Sequence, residues 1–513
     1  MAVSRGFTFV LAVCCYAAAV ALLASADASS DFLKCLAAAE ELGLPSQLVV
    51  ARGASPSLFT SVLASSVRNP RFLAPGTVRP VCVVTPTNAS HVQAAVLCGR
   101  RHGRSVRPEV FALVDLASLR AVRVNRRAAT AWVDSGATVG ELSYAVAKAD
   151  PGLAFAAGLC PTIGVGGHFS GGGIGMMMRK YGLSVDNVLD AVVIDANGRL
   201  LDKKAMGRDH FWAIRGGGGE SFGIVLSWKV RLLPVPRTVT VFNIWKTTQG
   251  AVDAVTKWQT LAPALPDELT IRVVVQSKQA LFQSVYLGTC DQLLPVMSSR
   301  FPELGMTRAD CREMSWLQST MYINSGGASS TPVEELLNRT TSLDAFTKNK
   351  SDYVKKAISK ASWEKIFPWF DVTGAGLIIL EPHGGRGGRV NTIADGDTPY
   401  PHRSGVLYNI QYIAFWPTTA PAAVPHWIKN VHGFMEPFVS SKPRAAYVNY
   451  RDLDIGENAV AAGGATSYES GRVWGEKYFG AANFRRLALT KGKVDAGDYF
   501  RNEQSIPPLV TTN

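Results

Sequence analysis

The sequence predicts an α+β protein, and three observations carry that reading. Short helix–strand units in the first part alternate with hairpins, which a doubly wound parallel sheet would not contain. After Pro234-Val-Pro236 the texture changes, and long strands such as Leu269 to Gln276 and Leu407 to Trp416 take over. From residue 443 to 513 the chain returns to the style of its first part. The expected organisation is therefore a first domain at 27–235, an inserted domain at 236–442 and a return to the first domain at 443–513.

The elements follow in order. Asp31 to Leu42 reads as a short helix closed by Gly43. Val81-Cys-Val-Val84 is an apolar strand, and a helix from His91 to about Arg101 follows, with Ser90 or Thr87 as its cap. Phe111 to Leu116 and Thr130 to Val133 read as strands. Thr138-Val-Gly-Glu141 has the capping-box pattern and opens a helix to about Ala149. Ala191 to Asp195, Asn197-Gly198 and Arg199 to Leu201 form a hairpin, because Asn-Gly supplies the positive φ of a tight turn. Phe222 to Leu232 alternates as a long strand and is stopped by Pro234 and Pro236. In the inserted domain, helices are expected around Ala345 to Ser362, and Gly384 to Gly388 is a glycine-rich loop after Leu377 to Glu381.

Composition narrows the class. The chain is 47% hydrophobic and 18% charged, with formal charge +13. The start reads as a secretory signal over 1–26: Arg5, an uncharged run from Phe7 to Ala24, then Ala24-Ser25-Ala26 for cleavage. No basic stop-transfer cluster follows, so a membrane anchor is not expected. Basic residues do not interleave with aromatics, so nucleic acid is not an expected partner. A basic secreted protein meets polyanions such as acidic wall polysaccharides. Beyond the signal stand Cys35, Cys82, Cys98, Cys160, Cys290 and Cys311, and spacing alone assigns no pairing. Asn88, Asn338 and Asn349 head glycosylation sequons. His-x-His, Cys-x-x-Cys and His-Glu-x-x-His patterns are missing, and Glu381-Pro-His383 reads as a strand end, so no metal site is expected.

The chemistry concentrates in Gly158-Leu-Cys-Pro-Thr-Ile-Gly-Val-Gly-Gly-His168 and the following Phe-Ser-Gly-Gly-Gly173. Its glycines let the backbone approach an anionic ligand, and Cys160 stands at its mouth as a nucleophile. Phe169 occupies the place of the third glycine in a dinucleotide fingerprint, so the run is not a Rossmann loop. The whole string resembles the flavin loop of the berberine bridge enzyme-like oxidases of plants. Arg179-Lys-Tyr-Gly-Leu183, Phe211-Trp-Ala-Ile-Arg-Gly-Gly-Gly-Gly219, Tyr447-Val-Asn-Tyr-Arg-Asp-Leu-Asp454 and the ending Asp498 to Pro507 extend the resemblance over nearly the whole chain.

The resemblance implies a PCMH-type FAD-binding domain plus a substrate domain whose antiparallel sheet, backed by helices, covers the flavin. It implies FAD held by one covalent bond, a 6-S-cysteinyl link from Cys160. Thr162, Gly164, Gly166, Gly167, His168, Gly171, Gly172, Gly223, Val225 and Asn449 are the further cofactor contacts it implies. It implies a Cys35–Cys98 disulfide, with Cys290 and Cys311 a second candidate pair. The family's Ser-Gly-Gly-His segment is missing, since Arg104-Ser-Val-Arg107 joins His102-Gly103 directly to Pro108. A second covalent bond, from histidine, is thereby excluded.

Substrate residues follow from the strand at 407–412, where alternation puts Asn409 and Gln411 on one face. Tyr450 matches a family active-site tyrosine and is the better proton acceptor, provided cations stabilise its phenolate. Ile174 replaces another such tyrosine, and Ile163 takes the position that gates oxygen. The reading is a secreted, monomeric, FAD-dependent oxidoreductase that removes hydride from an alcohol, either a monolignol or an oligosaccharide. The alternative is a catalytically impaired relative that binds wall carbohydrate, or a truncated gene.

Overall fold

The computed structural model describes residues 30–39, 43–74, 76–102, 111–328, 330–340, 345–384, 388–419, 426–460 and 464–510. The expected signal, the junction at 104–107 and the centre of the 384–388 loop lie outside the described residues. The chain divides into two compact units: 1–119 with 194–200, and 120–193 with 201–513.

The first unit is a three-stranded sheet with helices. Val49–Ala51 pairs antiparallel with Cys82–Val84, which pairs parallel with Leu113–Val114. The expected strand at 111–116 is thus shorter, because Asp115 caps a following 3-10 turn at Leu116–Ser118 by accepting from the Ala117 N–H. The helix Ala89–His102 begins before the expected His91. Neither Ser90 nor Thr87 caps it. Asn88 Oδ1 accepts from the His91 N–H at 3.1 Å, as a carboxamide at that position can. Cys35 and Cys98 form the implied disulfide, between helical residues 63 apart in sequence. Closing a loop of that length contributes ~4 kcal/mol on the chain-entropy view. The Asn197-Gly198 turn is present, with Gly198 at φ 73° and its N–H on the Asp195 carbonyl.

The second unit holds a short two-stranded pair, Leu233–Pro234 with Leu153–Ala154, and two larger sheets. In the smaller of these two sheets, Val122–Asn125 and Ile224–Arg231 flank Thr130–Asp134, and Val188–Ile194 follows on the far side of Ile224–Arg231. Thr138 and Glu141 close the capping box that opens the helix Val139–Ala149. A 27-residue helix, Tyr468–Val494, kinks at Gly480, and its Trp474, Tyr478, Phe484 and Leu487 join the core of this sheet.

The larger sheet has seven strands, in the spatial order Arg312–Met314, Val239–Thr247, Gln279–Tyr286, Leu269–Gln276, Leu377–Pro382, Tyr408–Pro417 and Ala345–Val354. Every pairing is antiparallel. One face is apolar: Ile271, Val273, Phe282, Leu380, Ile410 and Tyr412 pack under helices that contribute Trp258, Leu293, Trp363 and Ile428. Cys290 and Cys311 are bridged beside this core.

Ala345–Val354 corrects the expected helix; only Lys360–Ile366 is helical there. The segment looks solvated because it carries Lys350 and Asp352, yet both are buried and paired, Lys350 with Asp452 at 2.7 Å and Asp352 with Arg444 at 2.6 Å. Charges that local reading assigns to solvent are neutralised by residues about a hundred positions away.

Two buried cations hold distant segments in place. Arg179 donates to the carbonyls of Leu265, Pro266 and Leu269, at the start of a strand in the larger sheet. Lys491 donates to the Ser221 carbonyl at 2.7 Å, Asp495 Oδ2 at 2.6 Å and the Phe500 carbonyl at 2.7 Å, with Asp498 at 3.4 Å. Replacing Lys491 with methionine would leave two buried carboxylates uncompensated. Urea denaturation of Lys491→Met should show a loss of ~3–5 kcal/mol; a loss under ~1 kcal/mol would mean that the ammonium contributes little there.

Candidate functional site

The larger sheet presents a row of polar side chains on the face opposite its core. Register creates the row. Asn243 lies opposite Gln283, and Gln283 opposite Arg272. Val273 lies opposite Leu380, which puts Arg272 and Glu381 one step further along the same pair of strands. Glu381 lies opposite Asn409, and Asn409 opposite Tyr353. Six adjacent strands thus give one polar residue each.

Hydrogen bonds run along this row. Gln283 Nε2 donates to Asn243 Oδ1 at 3.1 Å, and Gln283 Oε1 accepts from Arg272 Nε at 2.8 Å. The far side of the Arg272 guanidinium lies 3.9 Å from Glu381 Oε1. Tyr450 donates to Glu381 Oε2 at 3.4 Å. Burial raises the Glu381 carboxyl above the usual 4.5, although Arg272 and the Tyr450 hydroxyl pull the other way.

Cys160 faces this row. Its thiol is exposed, but the surrounding protein raises its pKa, opposed by Arg272 and reinforced by Glu381. Cys160 is one of two unpaired cysteines among the described residues; the other, Cys82, is buried and pushed up to about 12. Tyr450 responds to the same groups: burial and the Glu381 charge raise its pKa well above 10. Both disfavour a Tyr450 phenolate, and the hydroxyl donates toward Glu381, so the geometry offers a carboxylate beside Tyr450 as a second candidate proton acceptor. Arg272, the cation that would stabilise the phenolate, is outweighed by a carboxylate at closer range.

The glycine loop divides into open and packed positions. Ile163, Gly164 and Gly167 are exposed, and a Cβ added at Gly164 or Gly167 would meet nothing within 4 Å. Thr162 is half-buried beside them. The other predicted contacts support the loop from behind. Gly166 sits against Ser135, with its N–H on the Ser135 carbonyl. His168 is buried, and its Nε2 accepts from the Gly158 N–H at 2.8 Å, so the ring holds the loop rather than facing the open side. Gly171 is required by Asn449, whose Oδ1 would lie 2.0 Å from an added Cβ. Asn449 Nδ2 donates to the His168 carbonyl and to Tyr447 Oη. Tyr447 Oη also accepts from the Gly173 N–H at 2.8 Å, while Gly172 packs on the Tyr400 and Tyr447 rings. Gly223, at φ 146°, and Val225 are buried.

Asn409 and Gln411 share the site face, as alternation requires. Asn409 is fully buried: its Nδ2 donates to the Asp352 carbonyl, and its Oδ1 has no partner. Gln411 donates to Asn349 Oδ1 at 3.0 Å. Asn349 is thus mid-strand and engaged, the least accessible of the three sequons, whereas Asn88 and Asn338 are exposed. Glu381 and Arg272 are the residues that sequence reasoning missed. The signal was a single charge in each apolar strand, and only the register reveals that the two meet. No group of three or more potential metal ligands occurs among the described residues.

These residues fit a flavin. A thiol at the rim of an open glycine turn faces a hydrogen-bonding row that can orient a ring system and a substrate hydroxyl.

Comparison with known proteins bears on the same residues. The family model described as "Berberine and berberine like" matches residues 446–507, and that of an FAD binding domain matches 111–203. Berberine bridge enzyme-like Cyn d 4 of Cynodon dactylon is 54% identical, over 99% of this chain and 100% of its own. The crystal structure of the grass pollen allergen Phl p 4, described as having glucose dehydrogenase activity, superposes with TM-score 0.89 at 51% identity, covering 94% of this chain and 100% of that one. Its variant with one isoleucine exchanged for valine is described as a glucose oxidase. Berberine bridge enzyme from Eschscholzia californica superposes with TM-score 0.85 at 35% identity, covering 94% and 100%.

The buried imidazoles around the site set an acid limit on its stability. Burial lowers His168 and His383 from 6.5 to about 4, and His402 to about 3. A depressed folded-state pKa gives stability that is full above the unfolded value of 6.5 and lost as pH falls toward 4. Urea denaturation should show stability falling below pH ~6.5, by ~1.4 kcal/mol per pH unit for each proton taken up on unfolding. His402→Gln should flatten that slope by about one proton. A slope unchanged by the substitution would mean that His402 is protonated equally in both states.

Proposed function

The chain belongs to the berberine bridge enzyme-like family of FAD-dependent oxidoreductases, and from this premise we propose that it oxidises an alcohol group of a carbohydrate or monolignol, with Glu381 as the proton acceptor. When bound, FAD supplies a two-electron acceptor for the hydride on the carbinol carbon. Cys160, Thr162, Gly164 and Gly167 would hold it, with Cys160 giving the one covalent bond. The domain division at 235 and 442 and a secreted, wall-associated location belong to the same reading.

One observation carries the role of Glu381: it is the carboxylate that both Tyr450 and Arg272 address, on the face that looks toward Cys160. The substrate hydroxyl enters between the loop and the polar row. Tyr450 and Arg272 orient it and keep the carboxylate fixed. A carboxyl raised by burial is a stronger base than an exposed one, so it takes the hydroxyl proton as hydride departs. Arg272, fixed by Gln283, offsets the charge when Glu381 is ionised. The relatives described as glucose dehydrogenase and oxidase support the carbohydrate over the monolignol.

Three experiments test the proposal. The secreted protein should be yellow, and the tryptic peptide containing Cys160 should retain flavin after acid precipitation; unmodified thiol in a colourless, folded protein would favour a carbohydrate-binding relative without catalysis. Glu381→Gln should lower kcat/KM by ~10²–10⁴-fold and remove the decline in activity at low pH, while Tyr450→Phe should cost ~10–100-fold. Full activity in Glu381→Gln would refute its role as base. Ile163, 39% exposed at the rim, stands where substitution by valine should open access to oxygen. Ile163→Val should raise oxygen turnover relative to an artificial acceptor, and equal turnover in both proteins would remove Ile163 from that role.

A further inference from the structure

A second cavity of about 680 Å³ lies in the same unit and shares no lining residue with the Cys160 site. Its size falls within the ~300–1,000 Å³ of small-molecule sites. The helix Lys203–Ile214 and Arg215 form one wall, and Asp397 and Arg486 line it as well. Five lining side chains are cationic, namely Lys203, Lys204, Arg208, Arg215 and Arg486, against the single carboxylate of Asp397.

Two of these cations have partners. Arg486 donates to Asp209 at 2.9 Å, and Lys203 Nζ donates to the Leu189 carbonyl at 2.9 Å. Lys204 and Arg208 make no ion pair among the described residues. Arg215 is the decisive group. Its guanidinium lies 4.6 Å from the Phe211 ring centre, its Nε is buried without a hydrogen-bond partner, and no carboxylate among the described residues reaches ion-pair distance. A buried guanidinium donor left unsatisfied is costly, and proteins ordinarily supply an acceptor. Here that acceptor is missing, and Arg215 is one of the residues that line the cavity. Gly207, at φ 69°, breaks the helix within this wall, and a Cβ there would meet nothing within 4 Å, so the wall stays clear.

We propose that this cavity binds a small molecule carrying two or more phosphate or carboxylate groups, one seated on Arg215 and another between Lys204 and Arg208. One negative charge would leave most of the positive lining uncompensated, which selects a multivalent acid. The planar fork of Arg215 matches either oxyanion. The proposal is independent of the flavin chemistry, because its residues lie outside that site.

The test is calorimetric titration of the full-length protein with inorganic pyrophosphate and, separately, with citrate, at physiological ionic strength. The protein is first loaded with FAD and freed of unbound FAD by gel filtration, so that pyrophosphate meets an occupied flavin site and no free FAD competes for the cavity. Saturable one-to-one binding of at least one anion is expected; the preferred anion tells phosphate from carboxylate recognition. The double variant Lys204→Glu, Arg208→Glu should weaken binding at least tenfold, and Arg215→Gln should abolish it. Lys356→Glu with Lys429→Glu, exposed and outside the cavity, should leave it unchanged. Circular dichroism verifies that each variant folds, and the surface double variant keeps the test decisive if Arg215→Gln does not. Failure of both anions to saturate at millimolar concentration, or equal weakening by the two double variants, would overturn the assignment.

Discussion

The antiparallel register of the seven-stranded sheet is the constraint on which the site depends. It places Gln283, Arg272, Glu381 and Asn409 side by side, although they come from four strands and span more than a hundred residues of chain. A slip of one residue in any of these strands would turn its polar group into the apolar core and a core residue toward the site. Removing a carboxylate and a guanidinium from water costs several kcal/mol each, so the pair persists only because each has other partners. Gln283 and Tyr450 supply them. The packing that holds the register on one face therefore fixes the electrostatics on the other.

The return of the chain at its end has a matching role. Residues 447–450 deliver Tyr447, Asn449 and Tyr450 to the back of the glycine loop and to Glu381. The loop reaches its conformation through this support: Asn449 fills the space over Gly171, Tyr447 takes the Gly173 N–H, and His168 takes the Gly158 N–H. Most glycines in the run serve close approach of protein to protein, and the open ones are those beside Cys160. Lys491 and its three acceptors anchor the segment that follows the long terminal helix.

Much of this was legible in the sequence, for physical reasons. The capping box at Thr138, the Asn197-Gly198 turn and the strand Leu269–Gln276 are local signals, and local energetics decides them. The thiol at the head of the loop was equally plain. What local reading missed depends on contacts across long stretches of chain. Lys350 and Asp352 look like the polar face of a helix until Asp452 and Arg444 neutralise them inside the protein. Glu381 looks like the ragged end of a strand until Arg272 and Tyr450 converge on it. Tyr450 is picked out by its motif, but the carboxylate to which it donates is not. Register, and the identity of a charge's partner, are tertiary facts.

The two faces of the large sheet separate what can change from what cannot. Along Tyr408–Pro417, Tyr408, Ile410 and Tyr412 are locked into the interior, while Asn409 and Gln411 alternate with them toward the ligand side. Odd and even positions of one strand thus carry different physical constraints. Descendants could exchange the odd set to recognise new molecules while the even set preserved the scaffold, which lets one architecture diversify its chemistry without renegotiating its foldability.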